Sequence, residues 1–335
     1  MAIAVAVLNI FILSSCAAIR TSEDVFLTMD SVAHLKIVAK DKNTCEKIGE
    51  KIQEISESVE NQISKTIESS DIYKLNNEGI KANVSNDTID LLKTAKYVKD
   101  VTGSAFEPAL GEIVDQWGIT EGNDELPQKV EFYAALEKNK NYEIDDVEGT
   151  IITESGENLS FDLGGIGKGY ALDKVSQYLK KERPPGVLLS YGSSILASGK
   201  TQKDELWVIG IKNPLNPETI SGYIGATDKV ISVSGGYERY IEIDGIRYCH
   251  IIDPVTGYPV DNDLLCVVVV MDSRVENNGA VSDALSTALY VMGKQGSLDF
   301  YTKGLIDFEM ILFVKTDTEK GYDIISTNVI FSEVE

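Results

Sequence analysis

Short apolar segments of strand length dominate the chain from about residue 150 onward, and this pattern constrains the fold more than any other feature. The patterning, together with turn residues at the segment ends, predicts strands at 150–153, 159–163, 187–190, 207–212, 230–233, 240–243 and 264–271. Helices are predicted among them at 170–181 and 280–292. Because strands and helices do not alternate regularly, we expect an α+β fold rather than a doubly wound sheet.

The first half of the chain adds a strand and two helices to this picture. A strand at 32–39 precedes a helix whose apolar residues recur every three or four positions, namely Ile48, Ile52, Ile55, Val59 and Ile63. Ser85-Asn86-Asp87 is typical of a helix cap, and that helix is expected to run through Val101 and to stop at Thr102-Gly103. The acidic stretch 120–125 is the best candidate for a surface loop. We expect one compact domain over residues 22–335, in which two lobes could enclose a site.

Composition excludes some classes of partner. The chain has 335 residues, of which 43% are apolar, so it can bury a substantial core. Its net charge of −22 would repel a nucleic-acid backbone, and we therefore expect no nucleic-acid partner. An anionic nucleotide would be repelled as well, unless a metal ion or local basic residues offset the global charge. Lys168 and Arg239 are candidates for those basic residues.

The N-terminus predicts export and a lipid anchor. An apolar run from Ala2 to Leu13, broken by Asn9, ends in Leu13-Ser14-Ser15-Cys16, which resembles a bacterial lipoprotein signal over residues 1–16. Lipid on Cys16 would then hold the protein to a membrane, on the outer side of the cytoplasmic membrane or in the periplasm. No Lys or Arg precedes the apolar run, and an uncleaved signal anchor is the alternative. Cys45, Cys249 and Cys266 have neither the spacing of a disulfide framework nor that of a metal site.

Two segments together predict chemistry on a phosphate ester. His250 is followed by Ile251-Ile252-Asp253-Pro254-Val255-Thr256-Gly257, so a strand end and a turn should hold this imidazole where a general base could act. Asp283 and Thr287 lie four residues apart, so on a helix they share one face and could bind one small cation. From the residues alone, Asp283 could equally be a surface carboxylate and Thr287 a packed hydroxyl.

The glycine-rich segment Asp162-Leu163-Gly164-Gly165-Ile166-Gly167-Lys168-Gly169-Tyr170 is a candidate anion site. It is not a P-loop, because Asp162 stands where the first glycine is required and Gly169 where Ser or Thr is required. It is not a dinucleotide fingerprint either, because Tyr170 occupies the place of the third glycine. A strand, a glycine turn and a helix start would still direct backbone N–H groups at an anion, with Lys168 adding charge. A tight turn that only packs a helix on a sheet is the alternative.

These segments, with others in the same order, resemble the ApbE family of flavin transferases, which move FMN from FAD onto a threonine of a target protein. The resemblance covers nearly everything after the signal, and an α+β catalytic domain of the ApbE type is therefore expected. Further motifs that carry the resemblance are Thr28-Met29, the 70–76 stretch ending in Leu75-Asn76, Thr102-Gly103-Ser104-Ala105-Phe106-Glu107-Pro108, Trp117-Gly118, Trp207 to Pro214 and Ser234-Gly235-Gly236.

The resemblance implies roles for individual residues. It implies that His250 is the base and that Mg²⁺ is held by the Gly165 carbonyl, Asp283 and Thr287. The FAD contacts that it implies are Met29, Ala105, Phe106, Glu107, Asp162, Lys168 and Ile252. Glu107 stands where an aspartate is commoner in the family, and Ser194 departs from the family pattern after Gly192. Without the resemblance, Met29 and Phe106 could be ordinary core residues.

Three functions fit these residues. The first is Mg²⁺-dependent transfer of FMN from FAD to a threonine hydroxyl of an exported flavoprotein, with release of AMP. The second is Mg²⁺-dependent hydrolysis of FAD to FMN and AMP, which would use the same base and ligands. The third is a non-catalytic FAD-binding lipoprotein. His250 and the Asp283/Thr287 pair argue against the third, since binding alone requires neither a base nor a metal.

Overall fold

The protein is described by a computed structural model that covers residues 19–78, 84–138, 140–145, 150–153 and 158–334. The predicted signal over 1–16, with Cys16, lies outside the described residues. The helices are α1 (Lys42–Ile63), α2 (Asp71–Glu78), α3 (Asn86–Val101), α4 (Gly111–Trp117), α5 (Lys129–Glu137), α6 (Gly167–Glu182) and α7 (Asn278–Lys303). No helix within these ranges is both long enough and apolar enough to cross a membrane.

The strands form one large antiparallel sheet and three small sheets. In chain order they are β1 (Arg20–Thr28), β2 (Ser31–Ala39), β3 (Tyr142–Asp145), β4 (Thr150–Thr153), β5 (Gly186–Tyr191), β6 (Ser194–Gly199), β7 (Trp207–Asn213), β8 (Asn216–Ala226), β9 (Lys229–Gly235), β10 (Tyr240–Ile243), β11 (Ile246–Cys249), β12 (Leu264–Asp272), β13 (Glu309–Lys315), β14 (Tyr322–Ser326) and β15 (Phe331–Glu333). The large sheet has the order β1-β2-β5-β6-β9-β12-β13-β14, and β15-β8-β7 form a second sheet. The expected α+β class is confirmed.

Strand β12 shows why the large sheet is buried on both faces. Val267 and Val269 point into a core shared with α1, α6 and α7, whereas Val268 and Val270 point into a core shared with β7 and β8. Successive side chains of a strand alternate between faces, so a strand covered on both sides needs a continuous apolar sequence. The run from residue 264 to 271, predicted as a strand, has this property because the helices cover one face and the smaller sheet covers the other.

Helices α6 and α7 touch through two glycines, and this contact sets the position of α7. A Cβ on Gly169 would lie 2.0 Å from the Gly279 carbonyl oxygen, and one on Gly279 would lie 2.3 Å from the Gly169 oxygen. At the same crossing, the Asp173 carboxylate accepts hydrogen bonds from the N–H groups of Gly279 and Ala280, at 2.8 Å each. These bonds satisfy backbone donors at the start of α7, which otherwise lack partners.

A smaller lobe stands beside the main core. Its buried residues come mainly from α4, α5 and the β10–β11 hairpin, and they are Leu110, Ile113, Trp117, Ile119, Phe132, Ala135, Ile241 and Ile252. A cavity of about 390 Å³ has Trp117 and Ile252 of this lobe on its wall, together with Phe106 and Leu163 of the main core. The cavity therefore lies between the two hydrophobic clusters, as the two-lobe arrangement requires.

The predicted strand at 159–163 is wrong. Leu159, Phe161 and Leu163 are buried in alternation, as the pattern suggested, but the segment does not pair with a strand. Its backbone bonds go to loops and side chains instead: Phe161 N–H donates to the Asn76 side chain at 2.8 Å, and its carbonyl accepts from the same amide at 2.9 Å. The side chains of this segment are therefore buried in alternation although its backbone is not paired with a strand.

Other boundaries agree with the sequence predictions or extend them. Ser85 caps α3 by accepting from Thr88 N–H, and the stretch 120–125 is an exposed loop. The helix predicted at 280–292 is the first part of α7, which changes direction at Gly293, where φ is 71°. Strands β1, β3, β6, β8, β11, β13, β14 and β15 and helices α2, α4 and α5 were not predicted.

Candidate functional site

The cavity between the lobes brings the predicted site residues together from distant parts of the chain. Its wall includes all of them, namely Met29, Ala105, Phe106, Glu107, Asp162, Gly165, Lys168, His250, Ile252, Asp283 and Thr287. Turns and loops provide most of these side chains, while α7 provides the last two. The individual roles assigned to them remain predictions.

His250 is oriented so that one ring nitrogen is available to accept a proton. It follows the last residue of β11, and its backbone N–H and its ring Nδ1 both lie 3.1 Å from the Arg239 carbonyl oxygen. A carbonyl oxygen only accepts, so Nδ1 carries the proton and Nε2 keeps its lone pair. The described geometry therefore fixes the tautomer that a general base requires.

The surroundings of His250 keep its ring neutral. His250 is open to the cavity, but the protein groups packed around its ring desolvate it, and this desolvation lowers the pKa of His250 to about 4. The hydrogen bond with the Arg239 carbonyl opposes this shift, whereas the charges of Lys168 and Arg239 add to it. At neutral pH the imidazole is therefore unprotonated and can take up a proton.

The turn after His250 is held by its own hydrogen bonds and by the smaller lobe. The Asp253 carboxylate accepts from the Val255 N–H at 2.8 Å and from the Thr256 hydroxyl at 3.1 Å. Gly257 has φ of 69°, a conformation that suits glycine. Its carbonyl accepts from the indole N–H of Trp117 at 2.8 Å. The predicted Asp-Pro-x-Thr-Gly turn thus connects His250 to α4.

The glycine turn is shaped by Asp162. One carboxylate oxygen of Asp162 accepts from the Gly164 N–H at 2.8 Å, and its backbone N–H donates to the Pro108 carbonyl at 2.9 Å. Helix α6 then begins at Gly167 without a side-chain cap. The Gly167 N–H donates to the Leu163 carbonyl at 2.8 Å and the Gly169 N–H donates to Asp283 at 2.9 Å, so the positive end of the helix dipole remains for an anion. Lys168 follows at the cavity wall, and its Nζ lies 3.3 Å from the Gly164 carbonyl oxygen. This arrangement suits an anion.

The residues expected to hold a metal ion are neighbours and offer oxygen atoms. A Cβ on Gly165 would lie 3.4 Å from the Thr287 hydroxyl oxygen, and Asp283 lies one helical turn before Thr287 on α7. Asp283 is 5% exposed and, within the described ranges, has no basic side chain in ion-pair contact. It accepts from the Gly169 N–H at 2.9 Å and from the Ser194 hydroxyl at 2.8 Å. A buried carboxylate that lacks a basic partner is a suitable place for a cation.

This set contains a single carboxylate. In the part of the chain that the structure describes, no group of three or more His, Cys, Asp or Glu side chains is placed to hold a metal ion. A carboxylate, a hydroxyl and a carbonyl nevertheless match the oxygen ligands that Mg²⁺ takes, with further positions left for water or substrate phosphates. The residues present therefore fit a magnesium ion that is completed by its substrate.

The segment 104–107 contributes an apolar wall and a buried ion pair. Phe106 is 4% exposed and lines the cavity. The Glu107 carboxylate also borders the cavity, but one of its oxygens lies 2.8 Å from Lys99 Nζ and the other accepts from the Ala109 N–H at 3.0 Å. Glu107 therefore stabilises the segment that carries Phe106. Met29, in the β1–β2 turn, has φ of 48° and also lines the cavity.

The roles of three residues at or near the cavity become clear only from the fold. Lys65 contacts Asp162, with 2.9 Å between Nζ and the carboxylate oxygen. Ser194 donates to Asp283, although its segment departs from the family pattern. Trp117 had been noted as part of a motif, without a role, and it joins α4 to the His250 turn. No local sequence signal identifies Lys65, because its two partners are distant in sequence.

Comparison with known proteins assigns the family. The sequence model described as the ApbE family matches residues 29–312. The chain is 28% identical to the FAD:protein FMN transferase of Vibrio cholerae over 326 residues, which is 93% of each chain. Among solved structures, an ApbE protein from Thermotoga maritima matches with a TM-score of 0.79 and 29% identity, over 92% of this chain and 97% of that one.

A second solved structure agrees with the first. The flavin transferase ApbE from Vibrio cholerae matches with a TM-score of 0.79 and 25% identity, over 92% of this chain and 98% of that one. Both the sequence and the fold are therefore similar over nearly the whole of each structure. The cavity with His250, the glycine turn and the α7 pair lies inside the matched region. On these grounds, the chain belongs to the ApbE family.

Proposed function

We propose that this protein is a Mg²⁺-dependent FAD:protein FMN transferase that attaches FMN to a threonine of a target protein. The observation that carries the proposal is the convergence of three features on one cavity: the free Nε2 of His250, the glycine turn, and the Asp283/Thr287 pair. Relatives across the matched region are named FAD:protein FMN transferases, which supports the same activity here.

His250 acts as the general base. Its Nε2 takes the proton from the threonine hydroxyl, whose oxygen then forms a bond to the phosphorus on the FMN side of the FAD diphosphate. The bond between that phosphorus and the bridging oxygen breaks, and AMP leaves with the electron pair. The hydrogen bond from Nδ1 to the Arg239 carbonyl stabilises the imidazolium that forms, because a charged donor strengthens such a bond.

The other cavity residues bind and orient the diphosphate. Lys168 and Arg239 offer positive charge beside His250, and the start of α6 adds the positive end of a helix dipole. Asp283, Thr287 and the Gly165 carbonyl would hold Mg²⁺, which when bound neutralises diphosphate charge as a Lewis acid. Phe106 and Ile252 supply apolar surface for the flavin or the adenine ring.

The test is to incubate the purified protein with FAD, Mg²⁺ and an acceptor domain from an exported flavoprotein. We expect covalent yellow fluorescence on the acceptor, release of AMP, and loss of both when the acceptor threonine is changed to valine. Free FMN and AMP without labelled acceptor would instead indicate hydrolysis, and unchanged FAD would leave only binding.

Substitution of each of the two histidines in turn tests the assigned base, because His34 serves as the control for His250. We expect His250→Ala to lower the transfer rate by about 10² to 10⁴-fold, a typical contribution of general-base catalysis, while FAD binding persists. His34, the other of the two histidines, lies exposed on β2, and His34→Ala should leave the rate unchanged. Undiminished transfer by a folded His250→Ala protein would refute the assigned role.

Export and anchoring form a further part of the proposal. The Leu13-Ser14-Ser15-Cys16 sequence supports cleavage before Cys16 and attachment of lipid to it. The mature domain would then face outward from the cytoplasmic membrane or lie in the periplasm, where it meets exported flavoproteins. In cells fed a labelled fatty acid, the wild-type protein should incorporate label and sediment with membranes. A Cys16→Ala variant that still did both would contradict the anchor.

A further inference from the structure

Lys65 forms an ion bridge between the smaller lobe and the main core. Its Nζ lies 2.6 Å from a carboxylate oxygen of Asp115 and 2.9 Å from one of Asp162. Lys65 follows the end of α1, Asp115 belongs to α4 in the smaller lobe, and Asp162 precedes α6 in the main core. The lysine side chain is 20% exposed and lines the cavity wall. One ammonium group therefore connects three separate elements.

The ammonium group keeps its charge in this position. Burial by itself lowers the pKa of Lys65, but the charges of Asp162 and Asp115 and their hydrogen bonds outweigh it and raise the pKa above its usual value. The lysine is therefore protonated throughout the range in which the protein would work. Bonds between a charged donor and a charged acceptor are stronger than neutral ones, so the bridge restrains both carboxylates.

Each carboxylate supports a different part of the cavity. The second oxygen of Asp162 accepts from the Gly164 N–H and so shapes the glycine turn. Asp115 lies on the same helix as Trp117, whose indole N–H donates to the Gly257 carbonyl in the turn after His250. Lys65 thus connects the segment expected to bind the diphosphate to the lobe that supports the base.

We propose that Lys65 is a positioning residue, which fixes Asp162 and the glycine turn against α4 in the conformation that binds FAD. This inference rests on the proposed function only in taking FAD as the ligand. Lys65 acts through Asp162, with no direct contact to FAD, and this distinguishes it from Lys168, whose Nζ meets only the Gly164 carbonyl among its described contacts. Removal of Lys65 would leave Asp115 and Asp162 as two like charges with no shared cation, and their repulsion would displace the turn.

A double-mutant cycle on FAD affinity tests this role. We expect Lys65→Met to weaken FAD binding, followed by flavin fluorescence, by about tenfold, the loss of one charge-assisted contact. We expect Asp162→Asn to weaken it by a similar factor, and the double variant to bind no worse than Asp162→Asn alone, because the two residues act in series. Full additivity would mean that Lys65 contacts FAD directly, and it would overturn the proposal.

Control variants separate positioning from general effects. Lys51→Met removes an exposed lysine of α1 that pairs with Glu54 at 2.8 Å, and FAD affinity should not change. Lys65→Arg keeps a cation that can bridge two carboxylates, and it should restore most of the affinity. In the transfer assay, Lys65→Met should raise KM for FAD with little change in kcat, as expected for lost ground-state binding.

The outcomes also separate this inference from the proposed function. If the wild-type protein binds FAD but transfers no FMN, the proposed function is wrong. The double-mutant cycle on FAD affinity would still test the role of Lys65. If Lys65→Met folds, as its melting temperature would report, and binds FAD as tightly as the wild type, the inference is wrong whatever the activity. If Lys65→Met does not fold, Asp115→Asn replaces it, because this variant removes only the ion pair between Lys65 and α4. Unchanged FAD affinity in that variant would likewise overturn the proposal.

Discussion

Replacing Lys99 with methionine should leave the buried Glu107 carboxylate without the cation that contacts it. The Nζ–Oε2 distance is 2.8 Å, and the two side chains are 6% and 3% exposed. Lys99 also donates to the Lys140 carbonyl at 2.6 Å, and Glu107 accepts from the Ala109 N–H at 3.0 Å. These contacts satisfy polar atoms but cannot replace the opposite charge.

The expected loss in the free energy of unfolding follows from the typical cost of breaking a buried ion pair. Removing one partner of a buried ion pair costs about 3 to 5 kcal/mol in the free energy of unfolding, because the remaining charge is uncompensated. Independent effects of Lys99→Met and Glu107→Leu would therefore sum to about 6 to 10 kcal/mol. In the double variant neither charge of this pair remains, but the Ala109 N–H loses its acceptor and the Lys140 carbonyl loses its donor, each at a cost of about 1 to 3 kcal/mol. The double variant should thus lose less stability than the two single variants lose together.

Urea unfolding, followed by circular dichroism, measures all four proteins of this cycle. The matched control is the exposed Lys51–Glu54 pair on α1, whose side chains are 44% and 68% exposed. Its removal should change stability by less than about 1 kcal/mol, as for most surface ion pairs. A double variant at Lys99 and Glu107 that is as unstable as the sum of its single variants would refute the reasoning. It would show that each charge is solvated on its own.

Two further predictions concern the crossing helices and the base. Gly169→Ala should destabilise the protein by at least about 1 to 3 kcal/mol and weaken FAD binding, since its Cβ would lie 2.7 Å from the Cβ of Asp283. Thermal unfolding measures this, with Gly49→Ala, whose Cβ meets only ordinary contacts, as the control that keeps its stability. Because His250 is active when neutral, kcat/KM should stay level as pH falls through 6.5 and drop only near its pKa of about 4. Half-loss near 6.5 would contradict this.

Local patterns predicted those parts of the fold that local physics determines. The run at 264–271 identifies a strand buried on both faces, and Ser85 marks the start of α3 by its side-chain cap. Strand β1 was not predicted because most of its side chains face water, so no apolar periodicity marks this edge strand. The prediction of a strand at 159–163 was wrong because alternating burial does not require a neighbouring strand, and the sequence does not show where backbone hydrogen bonds go.

The residues of the candidate site also fall into two groups, those that the sequence could identify and those that only the fold reveals. His250, Asp283 and the glycine turn stand in short segments whose order along the chain is distinctive, so resemblance could assign them. Lys65 and Ser194 act through partners far away in sequence, and their importance follows only from distances. Glu107 lies between these cases: it was expected to touch FAD, but its contact with Lys99 depends on a lysine whose burial the sequence does not reveal.

The charges around His250 suggest that substrate binding itself strengthens the base. Desolvation first, and then the charges of Lys168 and Arg239, lower the pKa of His250 in the free protein. Neither cation forms an ion pair with a carboxylate among the described residues; each meets a carbonyl oxygen instead, that of Gly164 or Asp30. An anionic diphosphate bound between them would offset their charge and place negative charge near the ring, so the pKa of His250 would rise. Since kcat reports the substrate complex and kcat/KM the free protein, the acid limb of the kcat profile should lie at higher pH than that of kcat/KM. Coincident limbs would show that the two cations do not act on both the diphosphate and the base.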